Sequence, residues 1–100
     1  DSGINSPISY AVFCLKKINF SRYLATHWAE HNIRVNTISP GGVDNSAQSV
    51  EFKNAYSKLT PMGRLAADTE YQGAILFLAS NASSYMTGSN LVVDGGWTAW

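Results

Sequence analysis

Tyr10 carries a hydroxyl that can exchange a proton, and it stands four residues before Cys14 and seven before Lys17. A free tyrosine has a pKa of about 10, so near neutral pH its hydroxyl exchanges protons only where a positive charge stabilises the phenolate. Cys14 carries no such charge. On a helix Lys17 would share the face of Tyr10 but lie about 10 Å further along the axis. We interpret Lys17 mainly as a surface lysine whose stem packs on apolar side chains, and less readily as a substitute cation.

The second candidate is a turn, Pro40-Gly41-Gly42-Val43, called here the glycine turn. Glycines allow another group to approach the backbone closely. The simpler alternative is a turn that ends a strand, because proline and glycine interrupt a β-ladder. No spacing of Cys and His matches a zinc site, so we predict no metal centre.

The elements that would position these residues follow from hydrophobic periodicity and turn signals. An apolar face recurs at helical spacing over residues 10–30, and Asn32 favours the left-handed conformation that ends many helices. β-Branched residues predict a strand over 33–39. Helices are predicted near 49–59 and 71–82, and a short apolar strand over 90–94. A connection this long between the two strands predicts that they are parallel and joined by a right-handed crossover.

Composition limits the classes of protein to which the chain can belong. With 45% hydrophobic and 12% aromatic residues, the chain is predicted to be one globular domain over residues 1–100. Seven basic and seven acidic residues balance, which argues against nucleic acid or an anionic membrane as partner. No apolar run approaches the ~20 residues of a membrane span. The single cysteine favours a reducing, cytoplasmic setting.

Four short motifs occur in a characteristic order: SPISY at residues 6–10, NIRVN at 32–36, SPGGV at 39–43 and LVVDGG at 91–96. Together they resemble the short-chain dehydrogenase/reductase family from about residue 6 to residue 100. The resemblance implies a single partial domain, the C-terminal portion of an α/β, Rossmann-like doubly wound fold with two parallel strands and about three helices. It also implies a chemistry, in which a carbonyl or secondary alcohol exchanges hydride with NAD or NADP.

The resemblance assigns roles to the two candidates. Tyr10 matches the family's catalytic tyrosine, while Cys14 stands where the family has a lysine. Pro40, Gly41, Gly42 and Val43 match the segment that contacts the nicotinamide. The sequence between Tyr10 and Val43 is similar to that of sugar-acid and polyol dehydrogenases of the family, but it does not fix the substrate or the choice between NAD and NADP.

No glycine-rich phosphate-binding turn between a strand and a helix is present in the 100 residues. We therefore expect a fragment or shortened form of an NAD(P)-dependent oxidoreductase, without turnover or effective cofactor binding by these residues alone. The alternative is a non-catalytic, self-associating or interaction module derived from the family. Under either hypothesis we expect a homo-oligomer formed through the helix at 10–30 and the last strand region, since exposed apolar faces find partners.

Overall fold

The computed structural model describes the backbone of residues 10–14 and 18–100, and side chains from residue 18 onward. Within these residues, three parallel strands form one sheet in the order β1, β2, β3. In chain order the strands and α-helices are β1 (Tyr10–Cys14), α1 (Ile18–Trp28), β2 (Ile33–Pro40), α2 (Val50–Leu59), α3 (Gln72–Ala79) and β3 (Asn90–Val93). Short 3₁₀ turns occupy Ala29–His31, Asp68–Tyr71 and Asn81–Ser83.

The first predicted helix is wrong over its opening turns. Residues Tyr10–Cys14 form β1, which pairs in parallel with β2 from Tyr10 opposite Ile33 to Cys14 opposite Thr37. Within the described part of the predicted helix, Ile18–Trp28 is α-helical and Ala29–His31 is a 3₁₀ turn. Tyrosine, valine and phenylalanine favour extended backbone, and a strand here satisfies the N–H and C=O groups along one side of β2. A short apolar run fits both periods, so the helical pattern over residues 10–17 was ambiguous.

The other predicted elements are confirmed with small shifts at their ends. Asn32 adopts a left-handed conformation, with φ of 64°, directly before β2. Helix α2 begins after Ser49, whose hydroxyl accepts a hydrogen bond from the Phe52 N–H. Strands β2 and β3 are parallel, as predicted from the length of their connection. The α/β class is therefore confirmed, and β1 adds a third strand to the two expected.

Helix α1 packs on the central strand through small side chains. Ser21 and Ala25 are buried on α1, and Val35 of β2 is fully buried. Small residues let a helix approach a sheet closely. The opposite side of α1 carries Phe20 and Tyr23, which are 55% and 59% exposed. The sheet therefore covers one side of α1 and leaves these two aromatic side chains exposed.

The Arg34 guanidinium connects the centre of the sheet to the end of α3. Its Nη1 donates to the Ser83 carbonyl at 3.0 Å and to the Met86 carbonyl at 3.2 Å, and its Nη2 donates to the Leu78 carbonyl at 3.0 Å. The last carbonyls of a helix lack partners within the helix and carry partial negative charge, so a buried cation there is stabilising. Arg34 is 8% exposed, and its charge is met by carbonyl oxygens.

Asn36, two residues along the same strand, holds the segment that leads into β3. Its amide donates to the Met86 carbonyl at 3.1 Å, and its side-chain oxygen accepts from the Ser89 N–H at 3.1 Å. The Gly88 N–H donates to the Val35 carbonyl at 2.7 Å. These bonds place Asn90 in register with Thr37. The NIRVN motif therefore sets the position of β3.

We expect Arg34→Met to lower the free energy of unfolding by about 3 kcal/mol, because several buried carbonyls lose a charged donor. Urea denaturation of the purified chain measures this. Arg22→Met is the matched control, since Arg22 lies on the exposed side of α1, and its effect should stay within about 0.5 kcal/mol. Equal effects of the two substitutions would contradict the structural role of Arg34.

Candidate functional site

The glycine turn lies where two parallel strands end side by side. Strand β2 ends at Pro40 and β3 at Val93, which are paired, and the Gly41 N–H donates to the Val93 carbonyl at 2.9 Å. The segment after β3, starting at Asp94, therefore runs next to the glycine turn. The carboxyl ends of parallel strands form the edge at which open α/β sheets bind ligands.

Both glycines of the turn are required by the chain's own packing. A Cβ on Gly41 would lie 2.8 Å from the Cα of Asp94, and one on Gly42 would lie 2.6 Å from Cζ of Tyr56. These distances are shorter than any real Cβ contact, so another residue at either position forces the backbone or the Tyr56 ring to move. The simpler interpretation of the turn, as the end of a strand, thus has a structural basis.

Tyr56 of α2 closes over the turn. Its hydroxyl oxygen accepts a hydrogen bond from the Gly42 N–H at 2.7 Å. Its ring stacks on Trp97, with centroids 4.5 Å apart and an interplanar angle of 21°. One helical turn earlier, the Lys53 ammonium lies 2.7 Å from the Asp44 carboxylate. Helix α2 is therefore attached to the turn on both sides of Val43.

The N–H of Val43 is the free backbone donor of the glycine turn. The Gly42 carbonyl accepts from the Ala66 N–H at 2.9 Å, and the Val43 carbonyl accepts from the Gln48 side chain at 3.0 Å. Among the described residues the Val43 N–H has no hydrogen-bond partner, although Val43 is half-buried. A donor left open at the ligand edge of a sheet is available to a bound group.

Asp94, whose backbone lies against Gly41, forms hydrogen bonds within its own loop. Its carboxylate accepts from the Gly96 N–H at 3.0 Å and from the Thr98 hydroxyl at 2.8 Å. The bond from the Thr98 hydroxyl is the main reason that the pKa of Asp94 is lowered. Asp94 is thus a structural group that shapes the loop carrying Trp97.

A small cleft of about 110 Å³ opens beside the turn, between α2, β3 and the segment before α3. Tyr71 lies at its wall and donates its hydroxyl weakly, at 3.5 Å, to the Gly41 carbonyl; burial raises the pKa of this phenol. At the rim, Arg64 forms a two-point ion pair with Glu70, with Nη2 to Oε2 at 3.0 Å. The hydrogen bond from Arg64 lowers the pKa of Glu70 to about 2.

The predicted site residues are not all brought together. Pro40, Gly41, Gly42 and Val43 lie at the carboxyl edge of the sheet, whereas the backbone of Tyr10 pairs with Ile33 at the start of β2. Seven residue steps of extended strand separate Ile33 from Pro40, a distance of about 23 Å. The side chains of Tyr10 and Cys14 and all of Lys17 lie outside the described residues. The catalytic role of Tyr10 therefore stays a prediction.

Tyr56 and Tyr71 are the residues that sequence reasoning missed. Tyr56 falls at an apolar position of the helical pattern of α2, a position that by itself indicates packing. The usable signal was a phenol at such a position near a glycine pair, since a buried tyrosine hydroxyl usually finds a partner.

Within residues 18–100 no group of three acidic, His or Cys side chains is arranged to hold a metal ion. No described helix is long and apolar enough to span a membrane.

Comparison with known proteins identifies the family of the chain. The family model described as enoyl-(acyl carrier protein) reductase matches residues 5–98. A short-chain dehydrogenase from Leptospira borgpetersenii, solved with bound NAD+, is 46% identical with a TM-score of 0.77, covering 81% of this chain and 32% of that one. The chain belongs to the short-chain dehydrogenase/reductase family. The predicted family, and with it the Rossmann-like fold class, is confirmed.

Two further relatives of this short-chain dehydrogenase/reductase chain are named as dehydrogenases of a sugar alcohol and of a sugar acid. D-arabinitol 2-dehydrogenase [ribulose-forming] from Scheffersomyces stipitis is 43% identical over 97% of this chain and 38% of its own length. A gluconate 5-dehydrogenase from Burkholderia cenocepacia, solved with NADP and tartrate, is 32% identical with a TM-score of 0.77, over 83% of this chain and 34% of that one. The chain thus spans well under half the length of these relatives.

Gly42→Ala in this short-chain dehydrogenase/reductase chain should lower the free energy of unfolding by about 2 kcal/mol, because the new methyl group overlaps the Tyr56 ring. Gly73→Ala is the matched control. Nothing lies within 4 Å of a Cβ at Gly73, which is in α3, so alanine there should stabilise by about 0.5 to 1 kcal/mol. Thermal or urea denaturation measures both, and a Gly42→Ala protein as stable as wild type would contradict the packing described.

Proposed function

We propose that this chain carries the nicotinamide-contacting edge of an NAD(P)-dependent oxidoreductase that interconverts a secondary alcohol of a polyol or sugar acid with the corresponding ketone. The observation that carries the proposal is the unpartnered Val43 N–H at the carboxyl edge of the sheet. It supports the assignment of Pro40, Gly41, Gly42 and Val43 as cofactor-binding residues. The bound cofactors of the two related structures, NAD+ and NADP, support the cofactor class.

The glycine turn fits the carboxamide end of a nicotinamide. A carboxamide oxygen accepts one hydrogen bond, and the Val43 N–H is a free donor beside two residues without side chains. When bound, the nicotinamide supplies hydride exchange with the substrate carbon. The contribution of the turn is to bind the carboxamide and so to fix which way the ring faces.

The proton of the reaction is assigned to Tyr10 Oη by family resemblance. Oxidation of an alcohol releases one hydride from carbon and one proton from its hydroxyl, so a base must take that proton. A phenol with no cation beside it is a weak base near neutral pH. With Cys14 in place of the family's lysine, and with the Tyr10 backbone about 23 Å from the glycine turn, we propose that Tyr10 does not act on a substrate at the turn in these 100 residues by themselves.

The substrate class is proposed from the relatives, whose names specify D-arabinitol with ribulose and gluconate. D-arabinitol and gluconate are both open-chain, polyhydroxylated compounds with a secondary alcohol that oxidises to a ketone. We also propose that turnover needs a glycine-rich pyrophosphate site, which the 100 residues do not include. Binding of a whole dinucleotide at one end only gives low affinity, so the 100 residues by themselves should not turn over.

An NMR titration of the isotope-labelled chain tests the binding edge. Reduced nicotinamide mononucleotide contains the nicotinamide half of the cofactor, so we expect it to shift the Val43 amide resonance with millimolar affinity. Adenosine monophosphate is the matched control, because it has the same ribose phosphate and no carboxamide.

Two results would contradict the proposal. Equal shifts of Val43 by both nucleotides, or none by the nicotinamide compound, would remove the assignment of the glycine turn to cofactor binding. Saturable NADH oxidation with ribulose by the purified 100 residues would instead contradict the need for a separate pyrophosphate site.

Self-association is a second candidate function, favoured by exposed apolar side chains on the two elements expected to form contacts. Phe20 and Tyr23 on α1 are more than half exposed, and Val92 on β3 is 47% exposed. Exposed apolar side chains that lie together mark interaction sites more often than isolated ones do. We propose a homo-oligomer in which these surfaces pair with a second copy of the chain.

Light scattering at micromolar concentration should therefore give a mass of two chains or more. Val92→Glu should shift the distribution toward monomer, because a carboxylate is costly to bury in an apolar contact. Val50→Glu is the control, since Val50 is also an exposed valine but lies on α2. A monodisperse wild-type monomer, or equal shifts by both substitutions, would show the proposed surface to be wrong.

A further inference from the structure

We propose that Tyr56 is a positioning residue of the glycine turn, whose hydroxyl oxygen holds the Gly42 N–H and thereby sets the direction in which the Val43 N–H points. This inference rests on the proposed function and names the side chain that prepares the turn for its ligand. Tyr56 itself contacts only protein atoms in this role.

Two adjacent glycines need external contacts to adopt one conformation. Glycine has more accessible backbone states than any other residue, so a Gly-Gly pair has no single preferred backbone conformation of its own. In this turn the peptide between Gly41 and Gly42 is held at its N–H by Tyr56, at 2.7 Å, and at its oxygen by Tyr71, at 3.5 Å. The next peptide is held at its oxygen by the Ala66 N–H, at 2.9 Å. Only the Val43 N–H of these two peptide units is left free.

The bond from Gly42 to Tyr56 is the stronger of the two bonds that hold the first peptide. At 2.7 Å it is short for an N–H to O contact, whereas the bond from Tyr71 is at the limit of the range. The Tyr56 ring also fills the space above Gly42, as the 2.6 Å approach to a Cβ position shows. Loss of the hydroxyl would therefore free the peptide while the ring remained.

The position of Tyr56 is itself fixed from two directions. Its ring stacks on Trp97 at 4.5 Å, and the Trp97 N–H donates to the Asp94 carbonyl at 3.2 Å. On the same face of α2, three residues earlier, Lys53 pairs with Asp44. Helix α2 thus transmits its position to the glycine turn, and a ligand that displaced α2 would alter the direction of the Val43 N–H.

Amide hydrogen exchange in the purified chain tests the first step. Tyr56→Phe keeps the ring and removes the hydroxyl, so exchange of the Gly42 amide should accelerate about tenfold, the effect expected for one lost hydrogen bond. Tyr85→Phe is the matched control, because Tyr85 is fully exposed, and Gly42 should exchange there as in wild type. Trp97→Leu, which keeps the hydroxyl and removes the stacked ring, should accelerate Gly42 by a smaller factor.

The response of Val43 to reduced nicotinamide mononucleotide tests the second step. Tyr56→Phe should weaken the apparent affinity about tenfold, with an unchanged far-UV spectrum, while Tyr85→Phe leaves it at the wild-type value. Unchanged Gly42 exchange in both Tyr56→Phe and Trp97→Leu overturns the inference. Faster exchange with wild-type affinity also overturns it, and leaves the proposed function intact. No Val43 response in wild type defeats the proposed function, and Gly42 exchange then still decides whether Tyr56 orders the turn.

Discussion

The contact between the Arg34 guanidinium and the carbonyls that follow α3 is the interaction on which the arrangement depends. A helix ends with carbonyl oxygens that have no partner in the helix, and burying them without a donor is costly. Arg34 supplies five N–H groups in a fixed plane from the centre of β2, and its two terminal nitrogens reach oxygens of Leu78, Ser83 and Met86. The end of α3 is therefore fixed to the sheet, and β3 starts in register.

That register determines what stands beside the glycine turn. Because Asn90 is opposite Thr37, β3 ends opposite Pro40, and Asp94 comes within contact of Gly41. The loop that Asp94 organises presents Trp97 to the ring of Tyr56. A buried cation in the middle of the sheet thus acts on the candidate site through strand register, without being near it. Removal of Arg34 should disturb the site only by displacing β3.

The chemistry proposed for the chain is asymmetric. The carboxyl edge has a free backbone donor, two glycines and an aromatic residue that orders them, all of which suit the flat end of a nicotinamide. The proton-transfer side is weaker, because Cys14 brings no charge to the phenol of Tyr10 and the strand pairing places the Tyr10 backbone beside Ile33. Binding of a nicotinamide at the glycine turn can therefore be measured independently of proton transfer by Tyr10.

The sequence by itself determined the family, the α/β class, β2, β3, α2, α3 and the chain reversal at Asn32, because these depend on local periodicity, on turn residues and on motif order. It did not determine the start of the chain, where the run at residues 10–17 satisfies both helical and strand periods. Only the tertiary structure revealed the partners of Arg34 and Gly42. Arg34 meets Ser83 across 49 positions and Gly42 meets Tyr56 across 14, and local patterns show which face of an element is apolar but not which distant group will meet it.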